Sequence, residues 1–217
     1  AGLLARRGQA ALRTYQVGAL PLINHLLQRM DLRNLLTQHL PKDDPRIKIP
    51  TADSLLVLLR NILLSREPLY GVGEWAARQA PDLLGLTDEQ IPHLNDDRLA
   101  RAMTRLFQAA RPPLFVDATR RVVREFDVSL QELHNDSTTV SFYGGYEHAE
   151  QPSFRYGNKT IAITFGHSKI KRPDLKQLLY ILTVSDDGGV PVYMQTESGN
   201  TTDDRTHIPT WNLLCEL

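Results

Sequence analysis

The sequence predicts an α+β fold, a helical region over residues 1–128 followed by a strand-rich region over 129–217. Three observations predict it. Apolar residues recur at three- and four-residue spacing through the first region, as on one face of a helix. From about residue 129 that period gives way to β-branched and continuous apolar runs. Charge divides in the same way: residues 1–128 hold 18 Lys and Arg against 14 Asp and Glu, and residues 129–217 hold 7 against 11.

The elements follow in order. Leu20, Ile23, Leu26, Leu27 and Met30 mark a first helix, and Leu32, Leu35, Leu36 and Leu40 a second. Pro41 to Pro45 breaks the chain. Thr51 or Asp53 is expected to cap a third helix with Leu55, Leu58, Leu59 and Ile62 on its core face, ended by Pro68. Trp75 falls in a short helix that stops before Pro81. Asn95 caps the next, with Asp96 and Asp97 in the first turn, where negative charge suits the helix dipole. Leu99, Met103, Leu106, Phe107 and Ala110 form its apolar face, and Arg98, Arg101 and Arg105 lie together on another. Pro112-Pro113 opens a last helix with Phe115, Thr119, Val122, Val123 and Phe126 inward and Arg120, Arg121 and Arg124 outward.

Beyond residue 129, Glu132 to Val140 has strand composition. A polar, glycine-bearing loop is expected from Ser141 to about Lys171. Leu178 to Val184 reads as a strand buried on both faces, Ser185 to Gly189 as a turn, and Val190 to Thr196 as the returning strand. Thr202, Asp203 or Asp204 can cap a closing helix. The single cysteine, Cys215, excludes a disulfide framework and a cysteine zinc site and is expected to be an inert core thiol. Apolar runs fall short of membrane-spanning length, and the expected compartment is cytoplasmic.

Three phrases in the second region carry a resemblance. They are Leu133-His-Asn-Asp-Ser-Thr-Thr-Val-Ser-Phe-Tyr-Gly144, Gly166-His-Ser-Lys-Ile-Lys-Arg-Pro-Asp-Leu-Lys-Gln177, and Gly188-Gly-Val-Pro-Val192 with Gly199-Asn-Thr-Thr-Asp203. Together they resemble the start of the RNase H-like catalytic domain of bacterial insertion-sequence transposases of the DDE type. In the first region Val17 to Ile23, Arg60 to Leu64 and Pro68 through Trp75 resemble the helical domain that precedes it. One departure is Ile170, where that family often has an acid.

The resemblance implies strand cleavage and transfer at the ends of an insertion sequence. Water, then a DNA 3′-hydroxyl, attacks a phosphodiester in line, with two Mg²⁺ or Mn²⁺ ions held by three acids from separate segments. Asp136 matches the first acid, so catalysis and metal binding are assigned to it. A turn or capping aspartate is the alternative reading. Asp203 and Asp204 are expected to serve only the start of a helix, and the other two acids are expected to be absent. The 217-residue chain is therefore read as a transposase fragment with an incomplete catalytic domain, unable to cut DNA alone. A non-catalytic DNA-binding or regulatory remnant is the alternative. An RNase H-like nuclease using Asp186, Asp187 or Glu197 beside Asp136 is a third possibility.

Expected partners are double-stranded DNA bearing terminal inverted repeats and a second copy in a homodimer. The basic cluster Lys169, Lys171, Arg172 and Lys176 and the face Arg98, Arg101 and Arg105 are the expected DNA contacts, with Arg120, Arg121 and Arg124 a further candidate face. Ordinary solvated loops and surface ion pairs are the competing explanation for all of them. Tyr143, Tyr146 and Tyr156 can stack on a flipped base or pack their loop, and His167 can contact phosphate. His134 is expected on the core or back face, turned away from Asp136.

Overall fold

The computed structural model describes residues 12–109, 111–168, 171–202, 208, 210–212 and 214. Helices come first and a small antiparallel sheet follows, an α+β arrangement. The helices are α1 (Leu20–Arg29), α2 (Leu32–His39), α3 (Thr51–Leu64), α4 (Val72–Ala77), α5 (Asp96–Gln108) and α6 (Arg111–Phe126). The strands are β1 (Leu133–Phe142), β2 (Phe154–Arg155), β3 (Asn158–Lys159), β4 (Lys176–Ser185) and β5 (Pro191–Ser198). Among the described residues no helix is long and apolar enough to cross a membrane.

The chain divides into two compact units, Ala1–Leu26 with Asp43–Met103, and Leu27–Lys42 with Thr104–Leu217. A cut at residue 128 separates helices from strands, but it is not where the compact units part. The reason is that α6 belongs with the sheet: Thr119 is buried on it and donates its hydroxyl to the Val192 carbonyl of β5 at 2.7 Å.

In the first unit, Leu20, Ile49, Val57, Val72, Trp75, Ala76, Leu84, Leu86, Leu94 and Leu99 form one buried cluster. The first two turns of α3 are buried all round, so its core residues are Leu55, Leu56 and Val57, whereas Ile62 is 51% exposed, against expectation. The expected capping by the Thr51 or Asp53 side chain is replaced from outside the helix. Pro50 is the N-cap and has no side-chain donor or acceptor, and the Asp43 carboxylate accepts from the Thr51 N–H (2.8 Å) and hydroxyl. Asn95 does cap α5, its side-chain oxygen accepting from the Arg98 N–H at 2.8 Å. Arg60 is buried in α3 and donates to the Asn24 side chain at 2.8 Å, and Asn24 donates in turn to the Leu83 carbonyl. Burial lowers the Arg60 pKa, with Asp53 opposing that shift.

In the second unit the sheet runs in the order β1-β4-β5, antiparallel throughout. β4 is the middle strand and pairs along its whole length with β1, from Leu133 opposite Ser185 to Phe142 opposite Lys176. Its odd positions Leu179, Ile181, Thr183 and Ser185 are buried and its even positions from Leu178 to Val184 half-buried, so one face of the sheet is covered more completely than the other. The expected loop from 141 to 171 contains two elements that composition did not reveal, a 3₁₀ turn at Glu147–Ala149 and the β2–β3 hairpin. The expected closing helix lies largely outside the described residues, as do Cys215, Asp203 and Asp204, although Ile208, Thr210, Trp211, Asn212 and Leu214 are helical.

Trp75 is 2% exposed at the centre of the first unit's core. Trp75→Ala should destabilise the chain by about 3–5 kcal/mol, read as a lowered urea midpoint.

Candidate nucleic-acid interface

Helical spacing places Arg98, Arg101 and Arg105 on one side of α5, but two of the three are committed to structure. Arg98 donates to the hydroxyls of Ser54 and Thr51, each at 3.0 Å. Arg105 donates to the carbonyls of Pro41 (2.9 Å) and Lys42. Arg101 points to solvent, 3.0 Å from Asp97 one turn back. Two of the three guanidinium groups thus tie neighbouring segments together, and Arg101 makes an ordinary surface pair.

The face on α6 is different. Arg29, Arg120, Arg121 and Arg124 line an open cavity of about 550 Å³ together with Met30, Asp31, Asp117 and Glu125. Positions 117, 120, 121 and 124 recur at helical spacing, which draws them into one stripe. Every acid in the groove is answered. Arg121 donates to the Asp31 carboxylate at 2.8 Å and to its carbonyl at 3.0 Å. Arg29 pairs with Glu125 at 2.8 Å and lies 4.4 Å above the Phe126 ring, and His39 meets Asp117 at 2.9 Å. Arg120 and Arg124 are exposed and have no ion-pair partner among the described residues. Two unpaired guanidinium groups one turn apart give this groove a surplus of positive charge suited to phosphate.

Asp136 lies in β1, within the pleated sheet, and is exposed. It faces Leu182 across the ladder, and Leu182 faces Met194. One of its carboxylate oxygens accepts from the Ser137 N–H at 2.7 Å. His134 is not on the back face. Residues two apart in a strand share a side, and His134 is exposed on the side of Asp136. Its imidazole lies 3.2 Å from Asp186 and 4.0 Å from Glu132, and these three exposed side chains bring their ligand atoms within 4.8 Å of one another. Asp136 is not in that group. Asp187 accepts from the Ser129 N–H at 2.9 Å, and Glu197 stands opposite Leu179 on the other face of the sheet. The oxygen donor at Asp136 suits a hard cation, yet no group of three ligands forms around it among the described residues. The donors present thus fit a two-metal site only in part.

The basic cluster before β4 also disperses. Lys176 is buried, with its ammonium 2.6 Å from Glu150, in contact with the Gly145 carbonyl and near the Phe165 ring. It fastens the loop after β1 to the sheet, so its ammonium is engaged within the fold, whereas the expected DNA contact needs it at the surface. Arg172 is held by both nitrogens to Asp174, at 2.8 and 2.6 Å, and reaches over the Tyr143 ring. That pair lowers the Asp174 pKa and raises that of Arg172. Lys171 is exposed, and Lys169 lies outside the described residues. Tyr146 packs edge-on against Phe142, with ring centres 5.3 Å apart. His167 is exposed, and its carbonyl takes a hydrogen bond from Gln177.

Two of the family-like phrases meet at a backbone crossing. A Cβ on Gly166 would lie 1.8 Å from the Gly199 carbonyl oxygen, and a Cβ on Gly199 would lie 2.2 Å from that of Gln177. The buried Gln177 side chain ties the two loops by donating to the carbonyls of His167 (3.1 Å) and Gly199 (2.8 Å). Glycine is needed at both places because no side chain fits.

Residues 12–119 match the model of a family described as a domain of unknown function (DUF4277). The match runs from just before α1 into the middle of α6. No curated protein and no solved structure matches the chain.

Hydrogen bonds from Asn34 and then Arg121 hold the Asp31 carboxyl below its ordinary value of 3.8. A carboxyl depressed on folding stabilises the protein above its unfolded pKa, and that contribution disappears as pH falls through the lower folded value. Asp31→Asn should therefore be less stable than the parent at neutral pH, and the gap in urea midpoints should close on acidification through that window.

Proposed function

We propose that this chain is the helical domain and the opening of the RNase H-like domain of a bacterial insertion-sequence DDE transposase, and that it holds double-stranded DNA at terminal inverted repeats. The observation that carries this reading is the sheet. Three consecutive long strands form an antiparallel meander, and the acid of the Asn-Asp-Ser-Thr phrase, Asp136, stands in the first of them. Among the described residues β1 is paired on one side only, which leaves an edge beside Asp136 for a further strand. The helical region and the phrases around Gly166 and Gly199 support the same reading.

The DNA contact is assigned to the groove along α6. Arg120 and Arg124 make no ion pair with a carboxylate among the described residues, Arg29 and Arg121 flank them, and the four arginines of the groove outnumber its three acids. Such contacts meet phosphate and carry no sequence preference of their own. Asp136 would hold Mg²⁺ or Mn²⁺, which when bound supplies the charge that stabilises the attacking and leaving oxygens. Among the described residues no group of three ligands gathers around Asp136, and one carboxylate leaves most of a metal's coordination to water, so DNA binding without cleavage is expected.

Anisotropy of a labelled inverted-repeat duplex tests the reading. Affinity should fall steeply with salt. Arg120→Gln with Arg124→Gln should lower the salt slope by about 2, roughly one for each phosphate that is no longer neutralised. Arg101→Gln and Asp136→Asn should leave binding unchanged, and added Mg²⁺ should produce no cleavage. Absence of salt-dependent duplex binding would overturn the DNA assignment. Metal-dependent cleavage by this chain would overturn its inactivity.

A further inference from the structure

The β2–β3 hairpin is a short ribbon with an unusual surface. Tyr156 and Gly157 form its two-residue turn, both at positive φ (51° and 78°), as a turn that follows the right-handed twist of a hairpin requires. Two residue pairs alone make a weak hairpin, but this one is fixed at both ends. At its base, Thr160 N–H donates to the Ser153 carbonyl at 2.7 Å, and Ser153 N–H donates to the Thr160 hydroxyl at 2.8 Å. Near its tip, the Asn158 side chain donates to the Phe107 carbonyl at 3.0 Å.

This anchored ribbon presents Phe154 at 77% exposure and Tyr156 at 66%. Arg155 and Lys159 beside them are exposed, with no ion-pair partner among the described residues. Residues 152–160 hold these two cations and no acid, although residues 129–217 carry a net charge of −4. Phe154 and Lys159 are a cross-strand pair, which puts the ring and the ammonium side by side.

We propose that this hairpin is a stacking contact for unpaired bases of DNA, such as a strand end or a frayed terminus. A flat ring takes the face of a base, and the adjacent cation takes the phosphate that follows it. Duplex bases keep their faces buried against one another, so the contact selects unstacked nucleotides and needs no particular sequence. The inference rests on the DNA-binding reading above and adds the form of DNA that this element recognises. An anionic membrane surface offers similar chemistry. The tip is Tyr156-Gly157 with Asn158 and Lys159 directly after it, so the rings share the ribbon with polar and charged groups, which suits a nucleotide better than the interior of a bilayer.

Anisotropy with a blunt duplex, and with the same duplex carrying a short unpaired overhang, tests it. The 217-residue chain should prefer the overhang by about tenfold. Phe154→Ala combined with Tyr156→Ala should abolish that preference and leave blunt-duplex affinity and thermal stability unchanged. Phe154→Trp should keep the preference, and the introduced indole should be quenched by the overhang but not by the blunt duplex. Blunt binding with no gain from the overhang, or a gain that survives the alanine pair, overturns this inference alone. Loss of binding to both duplexes overturns it together with the DNA reading. A blue shift of the introduced indole with phosphatidylserine vesicles, without quenching by overhang DNA, assigns the hairpin to a membrane and overturns it as well.

Discussion

A cation withdrawn from water must be met by oxygen atoms, and that constraint organises this molecule. Leaving a buried charge without its partner costs about 3–5 kcal/mol, whereas an exposed ion pair contributes roughly 0–1 kcal/mol. The basic residues sort accordingly. Arg60 is answered by Asn24 inside the first unit, Arg98 by two hydroxyls of α3, and Arg105 by two carbonyls of the segment after α2. Lys176 is answered by Glu150 and the Gly145 carbonyl. Removing any of these would unsettle packing before it touched a ligand. Other exposed cations, such as Arg46, Arg101 and Arg172, pair with nearby carboxylates, whereas Arg120 and Arg124 on α6 and Arg155 and Lys159 on the β2–β3 hairpin have no ion-pair partner among the described residues.

The sheet obeys a second rule, the two-residue period of a strand. In β1, Ser137 is buried opposite the buried Ile181, while His134, Asp136, Thr138 and Val140 are exposed. The same pleat that puts Asp136 on an open face puts His134 next to it. Glu197, an acid close by in sequence logic, falls on the other face because it aligns with Leu179. Position along the strand, more than distance along the chain, decides which acids share a site. The crossing of Gly166 and Gly199 then fixes the loops at the Lys176 end of β4, the end where Phe142 of β1 is paired.

Much of this is legible in the sequence, and the failures have physical causes. Helices and long strands stand within a few residues of where periodicity puts them, because each buries an amphipathic face long enough to repeat. Asn95 is readable as a cap because its own side chain does the capping, whereas Asp43 caps α3 across a turn that local pattern does not reveal. The spacing of Arg98, Arg101 and Arg105 correctly places them on one side of α5. Spacing is blind to what lies opposite, and there stand Thr51, Ser54 and the Pro41 and Lys42 carbonyls. Lys176 reads as part of a solvated basic run because its partner Glu150 comes from a loop. The β2–β3 hairpin is nearly silent in the sequence because two pairs of residues have no period to detect, although Tyr156-Gly157 is a turn signal. His134 departs from expectation because a two-residue step along a strand returns to the same face, and only a one-residue step would separate it from Asp136.

Arginine footprinting with phenylglyoxal, read by mass spectrometry with and without duplex DNA, tests the division of cations into structural and binding sets most directly. Arg120 and Arg124 should react in the free protein and be protected by the duplex, while Arg98 and Arg105 stay unreactive in both states. Protection at Arg101 with none at Arg120 and Arg124, or ready modification of Arg98 and Arg105 in the free protein, would contradict that division.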